Sequence, residues 1–155
     1  MCCVSFDPSS LPNEEKVYDL PDGQIIAPGK ERYQCPEALF NPSLIDQDLE
    51  GIHKLCFSSI MKSQVDIHQE LYKNIVLCGG SSMFPGLSDR FAKEMTHLMP
   101  EKMELEVGCG EFRQYEPWVG ASIMGSLNDG PPGGYITKDE YDENGPAIVT
   151  QKCIC

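Results

Sequence analysis

The sequence predicts an α/β fold, and three patterns carry the prediction. Asn74-Ile75-Val76-Leu77-Cys78 is an unalternating, largely apolar run ended by Gly79-Gly80, the pattern of a strand buried on both faces. Leu87, Phe91, Met95 and Leu98 recur at i, i+4, i+8 and i+11, so a helix of about three turns follows. Met103-Glu104-Leu105-Glu106-Val107 then alternates strictly and reads as a second strand with one wet face.

The remaining elements can be taken in chain order. Residues 2–6 read as the end of a strand, and residues 7–16, polar with Pro8 and Pro12, read as a loop. Val17-Tyr18-Asp19-Leu20 and Gln24-Ile25-Ile26 flank Pro21-Asp22-Gly23, which is a hairpin pattern. The stretch from Cys35 to Pro42 is bracketed by prolines and reads as a short helical turn. Ile52, Leu55, Cys56 and Ile60 line one face of a helix after Gly51, with His53, Lys54 and Ser58 on the other. A further helix is expected over residues 66–72, where Ile67 and Leu71 stand four apart. Pro100 helps end the helix at 87–98. Pro117 suits the first turn of a helix over residues 118–127. The small Gly120, Ala121, Ser122 and Gly125 suggest that this helix packs closely against a neighbour. Residues 128–134, Gly- and Pro-rich, read as a loop. Thr137-Lys138-Asp139-Glu140 fits a capping box and Asn144-Gly145 a stop, so a short helix lies between them. Ala147-Ile148-Val149 reads as a last short strand. No internal repeat or low-complexity tract is visible.

Composition narrows the function classes. The 155 residues are about one domain's worth and suffice for one core. Twelve Lys and Arg against 24 Asp and Glu give a net charge of −12. Too few cations remain for the broad basic face that a nucleic-acid binder needs. An anionic membrane surface is disfavoured for the same reason. No apolar run reaches the length of a membrane span, and Met1-Cys2-Cys3-Val4-Ser5-Phe6 lacks the basic and apolar regions of a signal peptide. A cytoplasmic chain with reduced thiols is therefore expected. Its eight cysteines fit that setting. None forms a CxxC, and the three histidines show no ligand spacing relative to the close pairs Cys2-Cys3 and Cys153-Ile154-Cys155. No metal site is expected.

The best local candidate for chemistry is residues 75–91. A strand runs into Cys78-Gly79-Gly80-Ser81-Ser82-Met83-Phe84-Pro85-Gly86 and then into a helix. Paired glycines let a ligand approach the backbone, and ligands of open α/β sheets sit at the carboxyl ends of strands. A phosphate, ribose or base fits here; a plain glycine turn between strand and helix explains the same residues. No Walker loop is present, because no Gly-Lys-Ser/Thr follows. No GxSxG elbow is present either, and pairing Ser81 or Ser82 with His53, His68 or His97 would be arbitrary. The histidines read as helix caps or decoration, and Glu104 and Glu106 as one solvated face. Met95, Met99 and Met103 read as fillers of core gaps.

Longer motifs say more. Leu20-Pro21-Asp22-Gly23-Gln24, Cys35-Pro36-Glu37-Ala38-Leu39-Phe40-Asn41-Pro42, Gly51-Ile52-His53, Ser59-Ile60-Met61-Lys62 and Val65-Asp66-Ile67 occur in that order. Gly79-Gly80-Ser81-Ser82-Met83-Phe84-Pro85-Gly86-Leu87, Trp118-Val119-Gly120-Ala121-Ser122-Ile123 and Glu140-Tyr141-Asp142-Glu143-Asn144-Gly145-Pro146 follow. Together they resemble consecutive segments of the C-terminal part of actin, a bit over a third of that protein. The resemblance covers nearly the whole chain and implies part of the actin-like (ribonuclease H-like) ATPase fold. It implies a partial outer small subdomain with a hairpin at 1–45 and the inner subdomain of one lobe at 46–117. A hinge helix and a tail returning to the other lobe would occupy 118–155.

The family binds ATP or ADP with a divalent cation in its interlobe cleft. The resemblance implies that Gly79, Gly80, Ser81, Met83, Phe84 and Gln114 lie on the adenosine side of that cleft. Phe84 stands where the family usually has tyrosine, and Gln114 where it has a lysine. The family's phosphate hairpins, cation-ordering carboxylates and water-positioning glutamine belong to earlier segments that this chain does not match. The resemblance therefore implies no catalytic residue here, and weak or no nucleotide binding by this chain alone. It also implies a cytoskeletal protein in a structural or interaction role, with actin or other cytoskeletal proteins as partners. The alternatives are a catalytically inactive module that binds or regulates actin, and an ATPase completed by a missing lobe. Residues 128–134, with Tyr135 in a tryptophan's place, replace the amphipathic helix that lines the family's partner groove. Apolar surface is expected to be exposed at Trp118, Ile123, Ile148 and Val149.

Overall fold

The computed structural model describes residues 16–127 and 135–152. The expected strand at 2–6 and the loops at 7–15 and 128–134 lie outside the described residues. The chain divides into two units, Met1–Gln114 and Tyr115–Cys155.

The first unit opens with the predicted hairpin. Strands β1 (Tyr18–Asp19) and β2 (Ile25–Ile26) pair antiparallel, with Tyr18 opposite Ile26. The turn residues explain the reversal. Asp22 Oδ1 accepts the Gln24 N–H at 3.0 Å, and Gly23 takes φ +83°, a conformation that favours glycine. Helix α1 (Glu31–Glu37) begins earlier than the expected helical turn at Cys35. Its Pro36 sits in the last turn with a fully buried ring. A 3-10 turn, Pro42–Ile45, follows.

Helix α2 (Ile52–Met61), a 3-10 turn at Val65–Ile67, helix α3 (His68–Lys73) and strand β3 (Ile75–Val76) come next. The chain then passes a 3-10 turn, Gly80–Met83, into helix α4 (Leu87–Leu98) and strand β4 (Val107–Gly108). β3 and β4 pair in parallel, with Ile75 opposite Val107 and Val76 opposite Gly108. The link between them contains α4, as a parallel pair requires a crossover. Phe40, Ile60, Tyr72, Leu87, Phe91, Met95 and Met99 form the core, and Met103 packs on it half-buried. Each large apolar side chain so placed contributes about 1.5–3 kcal/mol. The methionines fill the core as their spacing predicts.

Several expectations change. β3 is not buried on both faces, because Val76 is 65% exposed and Cys78 is exposed while Ile75 and Leu77 are half-buried. Among the described residues this sheet has two strands. The expected strand at 103–107 keeps its alternation, with Glu104 and Glu106 exposed, yet the paired ladder is only Val107–Gly108. Glu104 lies 2.7 Å from Lys73 Nζ, an exposed pair of small energetic weight.

Helix α2 is rotated from its predicted face. His53 and Ile60 are buried and Leu55 is 51% exposed. His53 turns inward because its ring stacks on Phe40, centroids 5.7 Å apart. Gly51 makes room: a Cβ there would run into the Phe40 carbonyl oxygen and would meet His53 Cε1 at 2.8 Å. His68 is also buried, and a ring nitrogen lies 3.1 Å from the Ser63 carbonyl. These two histidines are core residues rather than helix decoration.

The same corner holds a buried ion pair. Arg90 on α4 donates from Nη1 and Nη2 to both carboxylate oxygens of Glu37 on α1, each at 3.1 Å. Its Nε–H donates to Glu94 at 2.7 Å, and its guanidinium carbon lies 4.9 Å from the Phe40 ring centroid. One guanidinium thus ties α1 to α4 across the edge of the core.

The second unit contains α5 (Glu116–Ser126), α6 (Lys138–Asn144) and α7 (Ala147–Lys152). Thr137 caps α6 in the predicted capping box, and Gly145 ends it at φ +62°. The expected strand at 147–149 is instead helix α7. Lys152 Nζ donates to Glu140 Oε1 at 2.6 Å and to the Tyr135 carbonyl at 3.0 Å, which holds α7 against the start of α6. The Lys152 hydrogen bond, followed by the Thr137 backbone N–H, lowers the Glu140 carboxyl to about 2. Among the described residues nothing lies within 4 Å of an added Cβ at Gly120 or Gly125, so the close packing expected of them is not found there. No residue of α5 is buried. Trp118, Ile123 and Val149 are exposed as expected, at 72%, 57% and 46%, whereas Ile148 is buried.

Candidate functional site at the glycine turn

The site is built where β3 ends. Leu77 N–H donates to the Gly108 carbonyl at 2.9 Å, extending the β3–β4 pairing. One residue past Cys78 the backbone must leave the sheet. Gly79 does so at φ +89°, ψ +164°, a region that is in effect open only to glycine. Its N–H donates to the Arg113 carbonyl at 2.9 Å. The turn Gly80–Met83 follows, closed from within by Ser82 Oγ–H donating to the Gly79 carbonyl at 2.7 Å. Gly86, at φ +80°, then starts α4.

The six residues of interest differ in presentation. Among the described residues Gly79 and Gly80 border open space, since an added Cβ on either meets nothing within 4 Å. Ser81 and Met83 are exposed. Phe84 is half-buried and packs against the core, so it anchors the turn from below. Gln114 directly follows Arg113, whose carbonyl holds Gly79. Its Oε1 is a buried acceptor with no hydrogen-bond partner among the described residues. Such an atom costs about 1–3 kcal/mol unless a donor reaches it. The turn thus offers open backbone at Gly79 and Gly80, and Gln114, adjacent in sequence to the Arg113 that holds it, carries a buried acceptor unfilled among the described residues.

The rest of the molecule offers less. A recess of about 290 Å³ is lined by Gln34, Cys35, Leu44 and Ile45, with no charged group to anchor a ligand. Burial pushes the thiol of Cys56 and the phenol of Tyr72 up, so neither is an ionised nucleophile near neutral pH. Cys35, Cys56, Cys78 and Cys109 are free thiols. Among the described residues no group of three or more His, Cys, Asp or Glu is placed to hold a metal ion. None of the described helices is long and apolar enough to cross a membrane.

Sequence reading singled out the turn but missed Arg113. Its guanidinium donates to the Ser82 carbonyl from Nε at 3.2 Å and from Nη2 at 2.9 Å. Nothing in the spacing of a single arginine marks it; only its adjacency to Gln114 draws the eye.

A parallel strand pair, a glycine-only turn at its carboxyl end and the helix after it fit an α/β fold, a class in which ligands sit at the carboxyl ends of strands. A family model for actin matches residues 1–154. The chain belongs to the actin family, whose members generally bind ATP or ADP with a divalent cation.

Proposed function

We propose that this chain is an actin-like structural and interaction protein that carries the adenosine side of a nucleotide site. The observation that carries this reading is the open Gly79–Gly80 backbone at the carboxyl end of β3; Gln114, next in the chain to the Arg113 whose carbonyl holds Gly79, has a buried Oε1 without a hydrogen-bond partner among the described residues. An adenine amino group or a ribose hydroxyl would satisfy that acceptor once the Gln114 side chain turned outward, since Oε1 is buried in this conformation. Gly80, Ser81 and Met83 would line the ligand, Gly79 would set the approach, and Phe84 would hold the turn to the core. Where the family has a lysine, Gln114 supplies a neutral group, so a charge contact is exchanged for a directional hydrogen bond. When bound, the nucleotide's phosphates and cation would supply the chemistry. No described residue is assigned to them, and no catalytic step is assigned to this chain.

The interaction role is supported by α5. Trp118 is 72% exposed and Ile123 57%, so α5 leaves large apolar side chains available to a partner. Family membership suggests actin or another cytoskeletal protein as the partner, and the cytoplasm and its cytoskeleton as the setting. The charge of −12 argues against nucleic acid or an anionic membrane.

The test is an NMR titration of the full chain with adenosine and with Mg-ATP. Shifts confined to Gly79–Met83 and Gln114 are expected at millimolar ligand, with ATP turnover at background. Adenosine leaving those signals unmoved would sink the half-site; magnesium-dependent turnover would overturn the non-catalytic role.

A further inference from the structure

We propose that Arg113 is the positioning residue of the glycine turn, holding it in the shape that presents Gly80 and Met83 to a ligand. This inference rests on the half-site reading above.

The turn has little to hold it by itself. The bonds that join it to its flanks are Ser82 N–H to the Gly79 carbonyl at 3.1 Å, Phe84 N–H to the Ser81 carbonyl at 3.4 Å and Ser82 Oγ–H to the Gly79 carbonyl at 2.7 Å, all between residues three apart in the chain. Short 3-10 turns have poor hydrogen-bond geometry and do not persist unaided. Gly79 and Gly80 add freedom in the unfolded ensemble rather than rigidity.

Arg113 ties this turn at both ends. Its main-chain carbonyl accepts the Gly79 N–H at 2.9 Å, which fixes the entry. Its side chain fixes the exit, because Nε and Nη2 both donate to the Ser82 carbonyl. The remaining branch, Nη1, donates to the Gly110 carbonyl at 2.9 Å and so anchors the fork to the loop after β4. Ser82 is 7% exposed, so water is a poor substitute for the lost donors. A planar guanidinium is needed for this bridge. A lysine ammonium is a point donor on a flexible stem and cannot span two carbonyls in a fixed plane. Among the described residues these donors go to backbone carbonyls rather than to a carboxylate, so the arginine serves the loop geometry rather than an ion pair.

The test compares wild type, Arg113→Met and Arg113→Lys by adenosine titration, with thermal midpoints and amide exchange on each. Losing a charge-assisted bond pair is expected to weaken adenosine binding about tenfold in Arg113→Met. Protection should fall at Ser82 and Phe84 while the core amides around Phe91 and Met95 keep theirs. Arg113→Lys should recover less than half of the lost affinity, because it restores the charge without the fork. Wild-type affinity in Arg113→Met overturns the proposal and leaves the half-site standing. Absence of adenosine shifts in the wild type overturns the half-site and this inference with it. If Arg113→Met also loses the core amides, Arg113→Lys is read in its place, and wild-type affinity in it overturns the proposal.

Discussion

Glu37→Gln is the sharpest probe of how the first unit holds together. Glu37 and Arg90 side chains are 13% and 10% exposed, so both charges sit largely out of water. The bidentate contact has two N–H···O bonds at 3.1 Å. Breaking a buried pair by removing one partner costs about 3–5 kcal/mol when the survivor is left uncompensated. Here Arg90 keeps Glu94 at 2.7 Å and the Phe40 face, so the expected loss is smaller, about 2–3 kcal/mol. Glu94→Gln is the control. Glu94 is 29% exposed and belongs to an i,i+4 pair, so its loss should cost no more than about 1 kcal/mol. Urea unfolding followed by far-UV circular dichroism reads the difference. At an m-value of about 1–3 kcal/mol/M, Glu37→Gln should lower the midpoint by about 0.7–3 M. A Glu37→Gln midpoint no lower than that of Glu94→Gln would refute the claim that this clasp joins α1 to α4. The double change Glu37→Leu with Arg90→Met should recover part of the loss, because it removes both buried charges together.

Other outcomes follow from the same physics. Gly51→Ala should destabilise by about 1–3 kcal/mol, read by the same urea titration, because its Cβ would meet the Phe40 carbonyl carbon at 2.7 Å and that backbone must shift. Burial, ahead of the opposing pull of Glu94, lowers the pKa of His53 from 6.5, so the unfolded chain binds the proton more tightly. Stability from His53 is then complete above pH 6.5 and falls as the pH drops below it; His53→Phe should flatten that slope in melts taken between pH 5 and 7. Gly79→Ala should cost about 1–3 kcal/mol from its φ of +89°. Gly80→Ala meets nothing and should leave the melting temperature unchanged while weakening adenosine binding; equal affinity in it would contradict the proposed approach of the ligand.

Local chemistry was legible wherever the cause was local. Pro21-Asp22-Gly23 specified the hairpin, Thr137 and Glu140 specified the cap of α6, and Gly145 its end, since each acts on backbone groups within a few residues. The i, i+4 repeat of Leu87, Phe91 and Met95 placed α4 and its buried side. The glycine turn and its family were readable because glycine pairs and long motifs are written in consecutive residues.

What failed depended on distant partners. The α2 pattern ranked His53 as polar, yet stacking on Phe40 and the missing Cβ of Gly51 bring it inside. Ala147-Ile148-Val149 has strand composition, yet no described strand pairs with it, and Lys152 bonded to Glu140 leaves it helical. The sequence by itself determined the family, the turns, the caps and the periodic helices, because those rest on neighbours along the chain. Only the tertiary structure decided that Arg90 clasps Glu37, that Gln114 Oε1 has no partner among the described residues, and that the Arg113 guanidinium bonds the Ser82 carbonyl. Each of those is set by groups up to 53 positions apart in the chain, and spacing in one sequence carries no signal for them.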